Sequence, residues 1–303
     1  MSTAEAPTPA EPVVAPAKTA MARPSIEPVT EATLPEFARF LCTHLHADRT
    51  AAAWEAGLRT QWSADAGNYG FVLRDKGEIV GGIGAYYADR WIRGQRERTC
   101  NITSWCVLDG YRQQSVRLAM SLLNQGGYHF TNFSPTTVVG STLKFFKFKE
   151  LDERVVVVLN LPCIPIGATQ LLVNPAAIEA ALQGEALKIY HDHAMFPWLR
   201  HVLIGRPGHW CHVIYKRRSY KGLPCADLLY ISDRDVFASA FRRLAGHLLR
   251  KGMLTTHAEH RALSVLPWPA AIRTGFNPKL FLSASLTETD IDCLYSESVA
   301  LDL

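Results

Sequence analysis

Apolar positions recur at helical spacing in some stretches and alternate or run together in others. The changes of period divide the chain into elements. Ser25 to Thr30 reads as a short opening strand. Leu34, Phe37, Ala38, Leu41 and Leu45 form one stripe, which predicts a helix over 34–45 with Thr30 as its N-cap. A second helix is expected over 50–62. Tyr69 to Arg74 and Glu78 to Ala88 are strand-like runs joined at Asp75-Lys76-Gly77, which predicts a hairpin. Thr99 to Leu108 is rich in β-branched, aromatic and Cys residues and reads as the next strand. Asp109-Gly110 ends it, and Val116, Leu118, Met120, Leu122 and Leu123 then recur at helical spacing. A strand over 128–134, a short helix over 136–146 and a fully buried strand over 155–161 follow. The order βααβββαβαβ predicts an α/β fold: a mixed sheet, part antiparallel and part parallel, with helices on both faces.

The second half repeats part of this order. Residues 164–182, with Pro165, Gly167 and Pro175, read as a connector before a helix over 185–195. Strands are expected over 199–204, 210–216 and 223–232, then an amphipathic helix over 235–251 and a strand over 253–257. The block 210–257 therefore has the hairpin, strand, helix and strand of 69–134, which predicts two tandem units. The expected division is a disordered lead-in over 1–24, a first unit over 25–162 and a second over 163–303.

Composition narrows the setting. Hydrophobic residues make up 48% of the 303 and charged residues 20%, ordinary for a globular chain. The net charge of +4 is too small to suggest nucleic acid as a partner. The seven cysteines are scattered without a Cys-x-x-Cys pair, which points to a reducing, cytoplasmic setting with buried thiols. The first 24 residues lack the pattern of a secretory signal, and no apolar run is long enough to span a bilayer.

The chemistry concentrates on 99–123. A polar, exposed stretch, Arg112 to Arg117, is expected at a helix N-terminus after a strand, where free N–H groups and the helix dipole can hold an anion such as a pyrophosphate. On the strand, alternation puts Asn101, Thr103 and Trp105 on one face and Ile102, Ser104 and Cys106 on the other.

Over 26–161 the element order resembles the GNAT superfamily of acyl-CoA-dependent N-acyltransferases. The turn Tyr111-Arg112-Gln113-Gln114-Ser115-Val116-Arg117 resembles that family's Arg/Gln-x-x-Gly-x-Gly/Ala loop, with Ser115 and Arg117 where small residues are usual. The resemblance implies that Cys106, Val107 and Leu108 offer backbone to a pantetheine arm. Arg112, Gln113, Gln114, Ser115, Val116 and Arg117 would wrap the pyrophosphate of acetyl-CoA or another acyl-CoA, a co-substrate used without metal. An amine-bearing small molecule, sugar or peptide would accept the acyl group by direct transfer. Leu143 stands where the family often has a Tyr acid, and Lys147 where it has Gly. Asn132, Ser134 and Ser141 are then the candidates to protonate the departing thiolate, and no carboxylate lies within the central strand to serve as base. An inactive GNAT-like scaffold that senses CoA or binds a protein is the alternative. The turn Ser232-Asp233-Arg234-Asp235 of the second unit carries two carboxylates and is expected not to bind phosphate.

Two further groups have plainer readings. Arg90, Arg93, Arg96 and Arg98 read as a solvated hairpin face. His191-Asp192-His193 and His257-Ala258-Glu259-His260 lack metal-site spacing.

Overall fold

The computed structural model describes residues 23–164 and 167–302. The expected lead-in lies outside them except for residues 23 and 24. The chain follows the expected order through α4 and then adds a short strand, β6, beyond the expected elements: β1 (Ser25–Pro28), α1 (Leu34–His44), α2 (Ala51–Arg59), β2 (Gly70–Asp75), β3 (Glu78–Ile92), β4 (Gln95–Val107), α3 (Ser115–Leu123), β5 (His129–Asn132), α4 (Thr137–Phe145) and β6 (Lys149–Glu150). Thr33, not Thr30, is the N-cap of α1. Pro35 in the first turn, with its fixed φ, sets that start.

The chain continues with β7 (Val155–Leu159), the last strand expected in the first unit, and then β8 (Gln170–Leu172), α5 (Pro175–Ala181), α6 (Gly184–Ala194), β9 (Leu199–Arg206), β10 (His209–Tyr220), β11 (Leu223–Ile231), α7 (Arg234–Arg250), β12 (Thr255–Glu259), β13 (Ala270–Arg273), β14 (Leu280–Leu282) and α8 (Glu297–Ala300). The expected connector over 164–182 thus contains β8 and α5. Asn174 caps α5 by accepting from the Ala177 N–H, and Pro175 opens it, so the residues that read as loop punctuation are helix-start signals.

Two mixed sheets result, ordered β1-β2-β3-β4-β5-β14-β6 and β13-β7-β12-β11-β10-β9-β8. Strands cross the expected boundary at 162 in both directions. β7 lies antiparallel to β12 in the second sheet, while β14 sits between β5 and β6 in the first. β7 is not buried on both faces as expected; Val156 and Val158 alone point into the core.

The helices divide the faces. Leu118, Leu122 and Leu143, from α3 and α4, pack with Ile83, Cys100 and Ile102 on one face of the first sheet. On the other face, α1 and α2 pack Phe37, Leu41, Trp54 and Leu58 into a core that continues into the second unit through Ile189, Leu199 and Ile214. The C-terminal segment completes that shared core with Leu294, Tyr295, Val299, Ala300 and Leu301. It lies directly on α2, where a Cβ on Gly57 would come 2.3 Å from Leu301 Cδ2. Polar contacts fix it to both units. The Trp198 indole donates to Val299 O at 2.9 Å, Lys216 pairs with Asp302 at 2.8 Å, and the Arg49 guanidinium donates to Leu301 O.

Candidate functional site

The site begins with an interruption of β4. Gly84 pairs with Thr103 and Gly82 with Cys106, so β4 carries one extra residue opposite β3. Ser104 takes a left-handed φ of 50° there. Such a bulge shifts the alternation by one residue and strengthens the local twist. Trp105 therefore joins Ile102 on the α3 face, while Cys106 joins the α1/α2 face. This corrects the faces expected from strict alternation.

β4 is parallel to β5 only from Thr99 to Asn101, opposite His129 to Thr131. The Asn132 side-chain amide donates to Ile102 O at 2.9 Å and closes the apex. Beyond it β4 continues to Val107 while β5 ends, so this edge of β4 lines a gap. The Leu108 N–H donates to Val80 O at 3.0 Å on the β3 side. Period-two alternation turns the Val107 N–H the other way, into the gap.

A buried polar cluster lies at the apex on the α1/α2 face. Asn101 and Asn132 are 1% and 4% exposed, and Glu297 of α8 is fully buried. The Glu297 N–H donates to Asn101 Oδ1 at 3.2 Å, and Asn101 donates to Thr131 Oγ1 at 3.1 Å. Ser134, which is exposed, donates its hydroxyl to Glu297 Oε1 at 2.8 Å. Glu297 Oε2, Asn132 Oδ1 and the Tyr86 hydroxyl have no hydrogen-bond partner among the described residues. Burial raises the Glu297 pKa; the Ser134 hydroxyl and backbone amides, which stabilise the anion, oppose that shift in part. A carboxylate with one satisfied oxygen, reached from solvent through a hydroxyl, can accept and return a proton. Sequence reasoning misses Glu297 because it lies 196 residues from Asn101, in an apolar C-terminal stretch.

The remaining sequence candidates fall in three places. Ser141 is exposed on α4 and bonds back to Thr137 O at 3.0 Å, away from the cluster. Cys106, Val107 and Leu108 form the end of β4 beside the gap, with Cys106 Sγ directed at His44 O. Residues Asp109–Gln114 form a 3-10 turn that runs straight into α3, so the helical run starts three residues before Arg112. Arg112 pairs with Asp109 at 2.7 Å and Arg117 donates to Gln114 at 2.6 Å. Gln113 donates to Gly110 O at 3.2 Å, Ser115 opens α3, and Val116 is 48% exposed. Both arginines are solvent-exposed and their contacts are local.

Elsewhere, Leu143 is fully buried in the α3-face core, and Lys147 holds a φ of 68°, the conformation that Gly favours. The expected solvated face of arginines is partly structural. Arg90 is 9% exposed and grips Asp292 through two bonds of 3.2 and 2.5 Å, and Arg93 holds Asp290. These pairs anchor the chain leading to Glu297. Among the described residues no group of three or more His, Cys, Asp or Glu is placed to hold a metal.

The second unit has an equivalent divergence of strands. β11 is parallel to β12 only from Cys225 to Asp227, and the strands then diverge. Thr289 to Asp292 line a cavity of about 200 Å³ beside these strands, and Arg261 donates to Glu288 O at 2.8 Å. Asp233 caps α7 by accepting from the Asp235 and Val236 N–H groups at 3.0 and 2.8 Å, occupying donors that a phosphate would need.

No protein-family model and no curated protein matches the sequence. Solved structures do match in shape. A GCN5-related N-acetyltransferase from Anabaena variabilis superposes with a TM-score of 0.59 at 13% identity, covering 86% of this chain and 72% of that one. One from Kribbella flavida gives 0.53 at 16%, covering 85% and 71%. Eis1 from Mycobacterium abscessus gives 0.52 at 15%, covering 85% and 73%. The two mixed sheets and these superpositions agree: the chain carries the fold of the GCN5-related N-acetyltransferases.

Proposed function

We propose that the first unit transfers an acetyl or other short acyl group from acyl-CoA to an amine. The observation that carries this reading is the open edge of β4 beside the buried, half-satisfied carboxylate of Glu297. The pantetheine arm of the substrate pairs with that edge, as an added strand does. The Val107 N–H then faces the thioester oxygen and stabilises the negative charge that develops on attack. The amine nitrogen adds to the carbonyl carbon and the carbon–sulfur bond breaks. Glu297 takes the proton released by the amine and returns it through the Ser134 hydroxyl to the departing sulfur, leaving an amide, a free CoA thiol and both side chains in their starting states. Asn132 holds the apex and bonds no reacting atom. Arg112 and Arg117 swing from Asp109 and Gln114 to the pyrophosphate, while Asp109 weakens that contact.

The acceptor is a small amine, an amino sugar or a peptide terminus, entering on the α1/α2 face. All seven cysteines are free thiols, in keeping with a reducing, cytoplasmic setting, and among the described residues no helix is long and apolar enough to cross a membrane. Titration with acetyl-CoA and desulfo-CoA, followed by thiol release with a panel of amines, tests the reading. Glu297→Gln should bind desulfo-CoA as the parent does and release little thiol. No binding at millimolar CoA by a folded chain overturns it.

A second reading has its own observation. Leu143 stands where the family often has a Tyr acid, and Glu297 is fully buried. A scaffold that binds CoA without transfer fits both. Desulfo-CoA binding with no thiol release from any amine selects it.

A further inference from the structure

The second unit holds a cavity of about 480 Å³ that the acyl-transfer reading does not use. It lies at the free edge of β9. β8 pairs with β9 only at Leu203, Ile204 and Gly205, so 199–202 have no paired strand on that side among the described residues. The lining has a strong bias of charge: Arg200, Arg217 and Lys251 are there with His201 and His247, and no Asp or Glu is among the lining residues. Tyr190, 7% exposed, and Leu199, 4% exposed, supply an apolar floor.

Helix ends account for only part of this charge. Lys251 follows the C-terminus of α7, and Arg217 Nη2 approaches the same end, 3.9 Å from where a Cβ on Gly252 would lie. The dipole there is worth about half a unit of negative charge, against two full cations. Arg200 donates to Pro197 O and Leu199 O, which are neutral carbonyls. Lys251 also helps hold His247 below the usual imidazole range, second to burial, which shows that cations dominate this end of the cavity. His201 Nε2 is buried and has no partner among the described residues.

We propose that this cavity is a binding site for a small organic anion, its carboxylate or phosphate oxygens held by Arg217 and Lys251 and its flat apolar body lying on Tyr190 and Leu199. The volume suits a small ligand with a ring, and the paired cations suit an oxyanion. The site is separate from the β4 gap, so an occupant does not compete with acyl-CoA.

Saturation-transfer NMR on the full chain with phenyl phosphate, benzoate and benzylamine tests this. Phenyl phosphate or benzoate should bind, the tighter naming the head group, and benzylamine should not. The His201 and His247 imidazole resonances should move with the bound anion. Arg217→Gln with Lys251→Gln, both exposed positions, should weaken binding at least tenfold. The charge-keeping pair Arg217→Lys with Lys251→Arg should restore most of it, and desulfo-CoA should displace nothing. Benzylamine binding as well as the anions, no anion binding at millimolar concentration, unchanged affinity in the glutamine pair, or displacement by desulfo-CoA would each overturn the proposal.

Discussion

Glu297→Gln separates stability from chemistry at one position. The parent carboxylate is fully buried, accepts from Ser134 and leaves Oε2 without a partner among the described residues. Its pKa is raised in the fold, so the native state holds the proton more tightly than the unfolded chain. The linked stability is therefore fully present below the unfolded value near 4.5 and is lost as pH rises through the folded pKa. Each tenfold difference in proton affinity between the two states is worth about 1.4 kcal/mol. Glutamine keeps the shape and the acceptor for Ser134 and carries no charge. Relief of a buried, half-satisfied anion should stabilise the variant by about 1–3 kcal/mol at pH 8. For a chain of this size that is a rise in Tm of about 2–6 °C. The gain should vanish at pH 4, where both side chains are neutral. Activity should move the other way, with kcat/KM falling about 10²–10⁴-fold if the carboxylate takes the amine proton. Calorimetry at pH 4 and pH 8 with a thiol-release assay reads both effects. A variant less stable than the parent at pH 8 would refute the reasoning, because the carboxylate would then be held ionised by partners that outweigh its burial.

Other perturbations follow from the same contacts. Burial holds His201 down to about 4 and His212 to about 3, so their stability contribution is complete above pH 6.5 and is lost as pH falls toward those values. The unfolding free energy from urea titration should drop below pH 6 with a slope approaching about 1.4 kcal/mol per pH unit for each imidazole, and less steeply in His212→Leu. Arg90→Ala strands Asp292 and should cost about 3–5 kcal/mol by urea unfolding, with Arg90→Ala/Asp292→Ala losing less. Lys147→Gly relieves a left-handed backbone and should raise stability by about 0.5–1 kcal/mol, measured by thermal melting.

Sequence periodicity reveals the elements better than their partners. The stripe of Leu34, Phe37 and Leu41 and the hairpin at Lys76-Gly77 are local, and the structure forms both. The bulge at Ser104 is not legible, because a serine in a left-handed conformation carries none of the signal a glycine would. The exchange of β7 and β14 between sheets is equally hidden. Val155 to Leu159 reads as a strand in either sheet, and only tertiary pairing decides. The same holds for the site. Asn132 and Ser134 stand out by position after a strand, and the structure brings both to Glu297 or its neighbours. Glu297 itself carries a weak signal: an acid just inside a Ser-capped turn, followed by the apolar run Val299 to Leu301. Its meaning depends on the tail folding back onto both units.

The central claim is that the open edge of β4 receives acyl-CoA. Hydrogen–deuterium exchange of the backbone amides with and without desulfo-CoA tests it most directly. Desulfo-CoA should slow exchange in peptides spanning Thr103 to Leu108, where the added strand would pair, and leave Leu228 to Ser232 in the second unit unchanged. Bound desulfo-CoA with no protection at Thr103 to Leu108, or with protection confined to the second unit, would contradict the account.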